Sequence, residues 1–402
     1  MSGKKIKHPV FCGKLLFSII IVMFYLIGRK LPLYGINVSI YANQSIDAQV
    51  LLMQMISGDF YRSSVFALGI SPYILSLLII QAILAFVSSE KRRRISPIKI
   101  HRIQMCMMLM MAAMQAVFHL KDLNFVAASG WERTFSETVA VIEMITGAFV
   151  ILWLAGRNAR YGIGGQTLLI YVNILDGLRM TLQKHYIREL IIPLLISAIM
   201  VIVVLIMENA QVQIPVMRIS IHNIYADKNY LAIKLNPVGV RPVMFTSSFF
   251  MLPQMLVSGL TYIFPDNEGL RWWQDNMILT RPLGIGVYIF VLYILTIGFS
   301  MIFLRPGDLA EQLLKSGDSI ANLHSGKDTR KYLTGEILKI SFFSATVMGI
   351  SLGVPMLLQL AGTIDSSLVM LPSSVMMLTG IWFSLYQEVI AIRNYDAYQP
   401  FI

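Results

Sequence analysis

The sequence predicts an all-α polytopic membrane protein, and three observations carry that prediction. Of its residues 56% are hydrophobic and only 14% charged. The mean hydropathy is +0.66. The apolar residues gather in runs of about twenty, the length a helix needs to cross a ~30 Å hydrocarbon core. A soluble core has no use for so much apolar side chain.

The remaining composition narrows the function classes. A net charge of +11 would point to nucleic acid if the basic residues lined one soluble face. They sit instead in loops between apolar runs, where the positive-inside rule accounts for them. Cys12 and Cys106 lie far apart and form neither a disulfide nor a metal pattern, so no metal and no cofactor is implied. The first thirty residues resemble a signal peptide, with Lys4, Lys5 and Lys7 ahead of an apolar run. No small-residue cleavage site follows, and the run reads as a retained first helix.

Ten spans are expected. The first is Leu15–Leu33, with Arg29 and Lys30 snorkelling at its outer end. An external segment, Gly35–Ser64, follows, its middle (Val50–Ile56) too short to span. The second is Phe66–Val87, in which Ser71-Pro72 interrupts the hydrogen-bond ladder and predicts a kink. Ile70, Ile74, Leu78 and Gln81 share one face of it by 3.6-residue spacing. It stops at Lys91, Arg92, Arg93 and Arg94, which fixes this end in the cytoplasm.

Spans three and four are Ile103–His119 and Glu137–Ala155. The fifth, Ile163–Leu178, is weak: Gly162, Gly164 and Gly165 open it, and Gln166, Asn173 and Asp176 interrupt it. The sixth is Ile187–Met207. The polar segment after it, Glu208–Lys234, alternates Ile214, Val216, Ile219 and Ile221 in strand-like fashion. Spans seven to ten are Pro237–Leu256, Leu283–Leu304, Ile340–Leu360 and Ser367–Ile392, with a charged loop, Arg305–Lys339, after the eighth. Both termini then lie in the cytoplasm, and 22 of the 33 Lys and Arg fall on inner segments.

Four blocks of sequence, in order, resemble the SecY family of protein-export channels. Phe66–Gln81, FALGISPYILSLLIIQ, is similar to the family's second-helix motif, preceded by SGDFYRSS where the family carries its plug. Tyr161–Ile170, YGIGGQTLLI, resembles the Gly-rich start of its fifth helix. Tyr230–Pro253, YLAIKLNPVGVRPVMFTSSFFMLP, is similar to its seventh helix and the loop before it. Arg305–Leu333, RPGDLAEQLLKSGDSIANLHSGKDTRKYL, resembles the cytoplasmic loop after its eighth.

The resemblance implies two five-helix halves, 1–185 and 186–402, around a central pore, with cytoplasmic loops at 208–236 and 305–339. It implies a plug at about 45–62 that includes Met55, Ile56, Ser57, Gly58, Asp59 and Phe60. It also implies an apolar pore constriction, for which Ile70, Ile74, Thr167, Tyr171, Arg241, Met244 and Gly380 are the matching positions. Lateral exit of a signal sequence would run between helices two and three on one side and seven and eight on the other. Gln213, Arg218, His324, Lys327, Arg330 and Lys331 would dock a motor.

The departures point to a paralogue. The family's critical arginine after the eighth helix falls at His324, and the loop after the sixth helix is short. Such a chain is most like the accessory SecY paralogue of Gram-positive bacteria. That resemblance implies a SecA-type ATPase partner, small SecE/SecG-like membrane subunits, accessory secretion proteins, and large serine-rich glycosylated adhesins as cargo. It places the protein in the cell membrane and makes it a channel subunit rather than an enzyme. No nucleotide-binding loop occurs, so driving energy comes from a partner.

Two points stay open at this stage. Arg241 either lines the pore or snorkels to the cytoplasmic surface. The general housekeeping SecY subunit is the nearest alternative. A more distant one, an ion-coupled secondary transporter, would work through Glu143, Asp176, Glu208 and Glu388.

Overall fold

The computed structural model describes residues 9–37, 63–87, 94–120, 123–126, 129–218, 230–264, 266–320, 323–324 and 326–397. It divides into two compact units, Met1–Ile187 with Ile381–Ile402, and Arg188–Gly380.

The first unit holds α1 (Pro9–Gly28), α2 (Ser71–Phe86), α3 (Pro97–Leu120), α4 (Trp131–Tyr161) and α5 (Gly165–Lys184), with the last part of the C-terminal helix. Helix α3 packs between α2 and α4, and α4 also meets α1 and α5. The seam of α3 and α4 is built from small and unbranched residues one turn apart: Met108, Ala112 and Ala116 against Ala140, Met144 and Ala148. Small residues at four-residue spacing let two apolar helices approach closely where lipid removes the usual hydrophobic drive.

The second unit holds α6 (Ile187–Asn209), β1 (Gln211–Arg218), β2 (Tyr230–Lys234), α7 (Arg241–Ile263), α8 (Glu268–Asn276), α9 (Pro282–Leu304), α10 (Pro306–Ser316), β3 (Asp318–Ile320), α11 (Lys327–Leu360) and the start of α12 (Met370–Ala397). Helices α9 and α11 form its most extensive pair. There Gly349 faces the Tyr293 ring so closely that a β carbon would lie 2.9 Å from it. Buried Thr296 and Ser300 on α9, and Ser341 on α11, bond to carbonyls one turn back in their own helices. On α6, Ile191, Leu195, Ile199, Ile202 and Ile206 are exposed, a surface suited to hydrocarbon rather than water.

Eight of the described helices are long and apolar enough to cross a membrane. The two other expected spans fall short for different reasons. Helix α2 is apolar but has 16 residues, about 24 Å of rise. Helix α5 has 20 residues but carries Asn173, Asp176 and Arg179.

Three expectations are corrected. Pro72 does not kink a helix that began at Phe66. Gly69 has φ +53°, and the helix starts at Ser71 with Pro72 in its first turn, where the missing N–H is not needed. Arg29 does not snorkel: its side chain is 4% exposed and pairs with Asp176 at 3.2 Å. Nor is Arg241 a turn into its helix, because α7 begins at Arg241 itself. The ninth expected span is also longer than its apolar run, starting at Lys327 as part of a 34-residue helix.

Candidate functional site

In the first unit the candidate constriction residues lie on α2 and α5. Ile70 caps the start of α2 without a side-chain hydrogen bond, and its carbonyl accepts from the Ile74 N–H at 3.1 Å. Both isoleucines are buried. Ser71, between them, accepts a hydrogen bond from Gln115 Nε2 of α3 at 3.2 Å.

The start of α5 is held by a polar knot. Gly164 and Gly165 both have positive φ, +76° and +48°, a turn that side chains with a β carbon resist. Buried Asn158 of α4 donates to the carbonyls of Ile163 and Gly165 at 2.8 and 2.9 Å. It accepts from Ser18 Oγ at 2.8 Å, and that oxygen accepts from the Ile163 N–H at 2.8 Å. Glu388 of α12 accepts from the Gly164 N–H at 3.1 Å, a carboxylate at the positive end of a helix. Thr167 Oγ1 donates to the Gly164 carbonyl, and Tyr171 packs on Trp382 with ring centroids 6.4 Å apart. Further along α5, Asn173 accepts from the Tyr25 hydroxyl at 2.7 Å.

In the second unit, exposed Arg241 opens α7 with its guanidinium 5.5 Å from the Phe303 ring centroid, a cation–π contact. Met244, one turn on, is buried. Gly380 sits so close to Val240 that a β carbon there would lie 2.4 Å from Val240 Cγ1. The structure therefore gathers Gly380, Val240, Arg241 and Met244 at the start of α7.

The expected docking residues occupy a platform. Strand β1 pairs antiparallel with β2 on one side and with β3 on the other. Val216 meets Ile320, and Arg218 meets Asp318. One layer of apolar residues lies beneath, made of Ile214, Ile233, Ala310, Ile320, Leu333, Ile337 and Ile340. Gln213 faces outward from β1, and His324, Lys327, Arg330 and Lys331 are exposed around the start of α11. The His324 carbonyl accepts from Thr329 Oγ1 at 3.0 Å and so ties the loop to the helix. Strand-like alternation signalled β1, but a three-residue β3 gave no signal that the two loops join.

The four carboxylates weighed for ion coupling are each engaged by the protein. Glu143 accepts the Tyr34 N–H at 2.9 Å, Asp176 pairs with Arg29, Glu208 lies 3.9 Å from Lys234, and Glu388 caps α5. The expected plug residues, Met55 to Phe60, lie outside the described residues.

The SecY family model matches residues 64–386. The chain is 27% identical to the accessory Sec system protein translocase subunit SecY2 of Leuconostoc gelidum subsp. gasicomitatum over 99% of each chain. It is 28% identical to the subunit of that name from Streptococcus agalactiae serotype Ia, over 94% of this chain and 93% of the relative. Among solved structures it is similar to a protein-conducting channel, with a TM-score of 0.67, 16% identity, and coverage of 98% and 95%. It is also similar to Sec61 of the canine ribosome–channel complex, with a TM-score of 0.62, 16% identity, and the same coverages. The chain is a multi-pass membrane protein, and it belongs to the SecY family.

Proposed function

We propose that this chain is the protein-conducting subunit of an accessory Sec translocon in the cell membrane. The observation that carries this reading is its end-to-end similarity to relatives named as accessory Sec subunits. On this reading the chain lines a pore, both termini face the cytoplasm, and 45–62 serves as the plug. The collar comprises Ile70, Ile74, Thr167, Tyr171, Met244 and Gly380, with Arg241 at its rim. Bulky apolar residues such as Ile70 and Ile74 dewet a narrow passage when it is empty and yield around a polypeptide.

A SecA-type ATPase docks on the β1–β3 platform through Gln213, Arg218, His324, Lys327, Arg330 and Lys331. SecE/SecG-like subunits and accessory secretion proteins complete the machine. The cargo is a set of large serine-rich glycosylated adhesins. End-to-end similarity to subunits named for protein translocation favours this reading over ion-coupled transport.

The test is photo-crosslinking from Ile74 and Arg241 to a stalled export substrate in membranes. Adducts from both positions are expected. Deletion of the gene should remove serine-rich surface proteins while general secretion continues. Loss of general secretion would instead identify a housekeeping SecY, and absence of adducts at both positions would overturn the channel reading.

A further inference from the structure

Just ahead of α2 the chain runs through a slot with glycine walls. One wall is Gly147, midway along α4, where a β carbon would lie 2.0 Å from the Val65 carbonyl oxygen and 3.2 Å from the Phe66 ring. The other is Gly28, the last residue of α1, where a β carbon would lie 2.1 Å from the same ring. Separations below 3.0 Å essentially never occur for a β carbon. No residue but glycine therefore fits either wall unless something moves.

The segment in the slot is pinned from other directions too. The Val65 N–H donates to the Leu31 carbonyl at 3.0 Å, and the Leu33 N–H to the Ser63 carbonyl at 2.7 Å. The buried Phe66 ring stacks on Tyr25, with centroids 5.9 Å apart and planes 13° apart. The chain then turns through Gly69, whose N–H donates to the Phe66 carbonyl at 2.8 Å, and reaches Ile70. Ile70 supplies no side-chain cap to α2, and this clasp anchors the chain immediately upstream of it.

We propose that Gly28 and Gly147 are positioning residues for the collar: by clasping Val65 and Phe66 they fix the height and rotation at which α2 presents Ile70 and Ile74. The proposal rests on the channel reading above. A methyl at Gly147 must push backbone aside by on the order of 1 Å to reach ordinary contact, and α2 moves with it. At Gly28 the obstacle is a ring, so a smaller side chain at position 66 relieves it.

The experiment measures ion leak through membrane vesicles carrying equal amounts of the full-length chain. Gly147→Ala and Gly28→Ala are expected to raise resting leak several-fold, and Phe66→Leu added to Gly28→Ala to return it to the original level. Gly156→Ala, on the same helix as Gly147 but with nothing within 4 Å of its β carbon, is expected to leave leak unchanged. Ile74→Ser opens the collar directly and calibrates the assay. If Ile74→Ser leaks while both glycine variants stay tight, the clasp is overturned and the channel stands. If Ile74→Ser itself stays tight, the collar reading falls and takes the clasp with it. Should Gly147→Ala fail to accumulate, the Gly28→Ala variant and its rescue decide the matter.

Discussion

The guanidinium of Arg29, the residue after α1, lies 3.2 Å from the Asp176 carboxylate of α5, with the arginine side chain 4% exposed and the aspartate 24%. Arg29 also sits 5.8 Å from the Tyr25 ring centroid, and the Tyr25 hydroxyl bonds Asn173 one turn before Asp176. The end of α1 and the residue after it thus read the polar stripe that makes α5 a poor span by hydropathy.

Breaking that pair should be costly and asymmetric. Removing one member of a buried ion pair typically costs about 3–5 kcal/mol, because the other charge stays behind. Asp176 keeps Arg179 at 3.9 Å, so Arg29→Leu is expected to be the milder change. Asp176→Asn, which takes the carboxylate from the more deeply buried partner, should lower the melting temperature further in detergent. The double variant Arg29→Leu/Asp176→Leu should melt above Asp176→Asn. A double variant that melts lowest of the three would refute this account.

Asn158 holds the turn that starts α5 through two donated bonds and one accepted. Asn158→Leu leaves the Ile163 and Gly165 carbonyls and Ser18 without that partner, at roughly 1–3 kcal/mol for each buried group left unsatisfied. Faster hydrogen exchange over 162–168 is expected, with exchange in α3 unchanged. Equal rates in variant and parent across that turn would contradict the assignment.

The platform separates stability from docking. Leu333 is fully buried in its apolar layer, so Leu333→Ala should cost about 2–5 kcal/mol and loosen the sheet. Charge reversal at Lys327, Arg330 and Lys331, all exposed, should leave the melting temperature unchanged but weaken binding of the motor ATPase at least tenfold. Undiminished binding by the reversed variant would remove these residues from the docking surface.

Helices α9 and α11 meet where Gly349 faces Tyr293. Gly349→Leu overpacks that contact, a change that typically costs about 1–3 kcal/mol. Tyr293→Leu in the same chain should recover most of the loss. Melting in detergent reads both variants, and a Gly349→Leu chain as stable as the parent would show that the contact yields freely.

Sequence periodicity located the apolar runs well, because a span must be continuous to cross hydrocarbon. It located helix starts poorly, because those depend on single backbone conformations. Pro72 looks like a kink until Gly69 is known to turn the chain ahead of it. Hydropathy puts Arg241 inside a span, yet it opens its helix. Spacing alone sets Ile70 and Ile74 one turn apart, and in the structure Ile70 caps α2, Ile74 lies in its first turn, and both are buried. What the sequence hides are pairings between distant segments: Arg29 with Asp176, Asn158 with Ser18, and β1 with β3. No local pattern encodes these, since each member looks like an ordinary polar or short segment until its partner is in place.

The register of Val216 against Ile320 has a bearing on biogenesis. Ribosomes deliver a chain from its N-terminus, so the third strand emerges only after α7 and α9 have been made. A nascent copy therefore carries an unfinished sheet edge until late in synthesis. On the docking reading proposed above, a half-made subunit offers its motor an incomplete face.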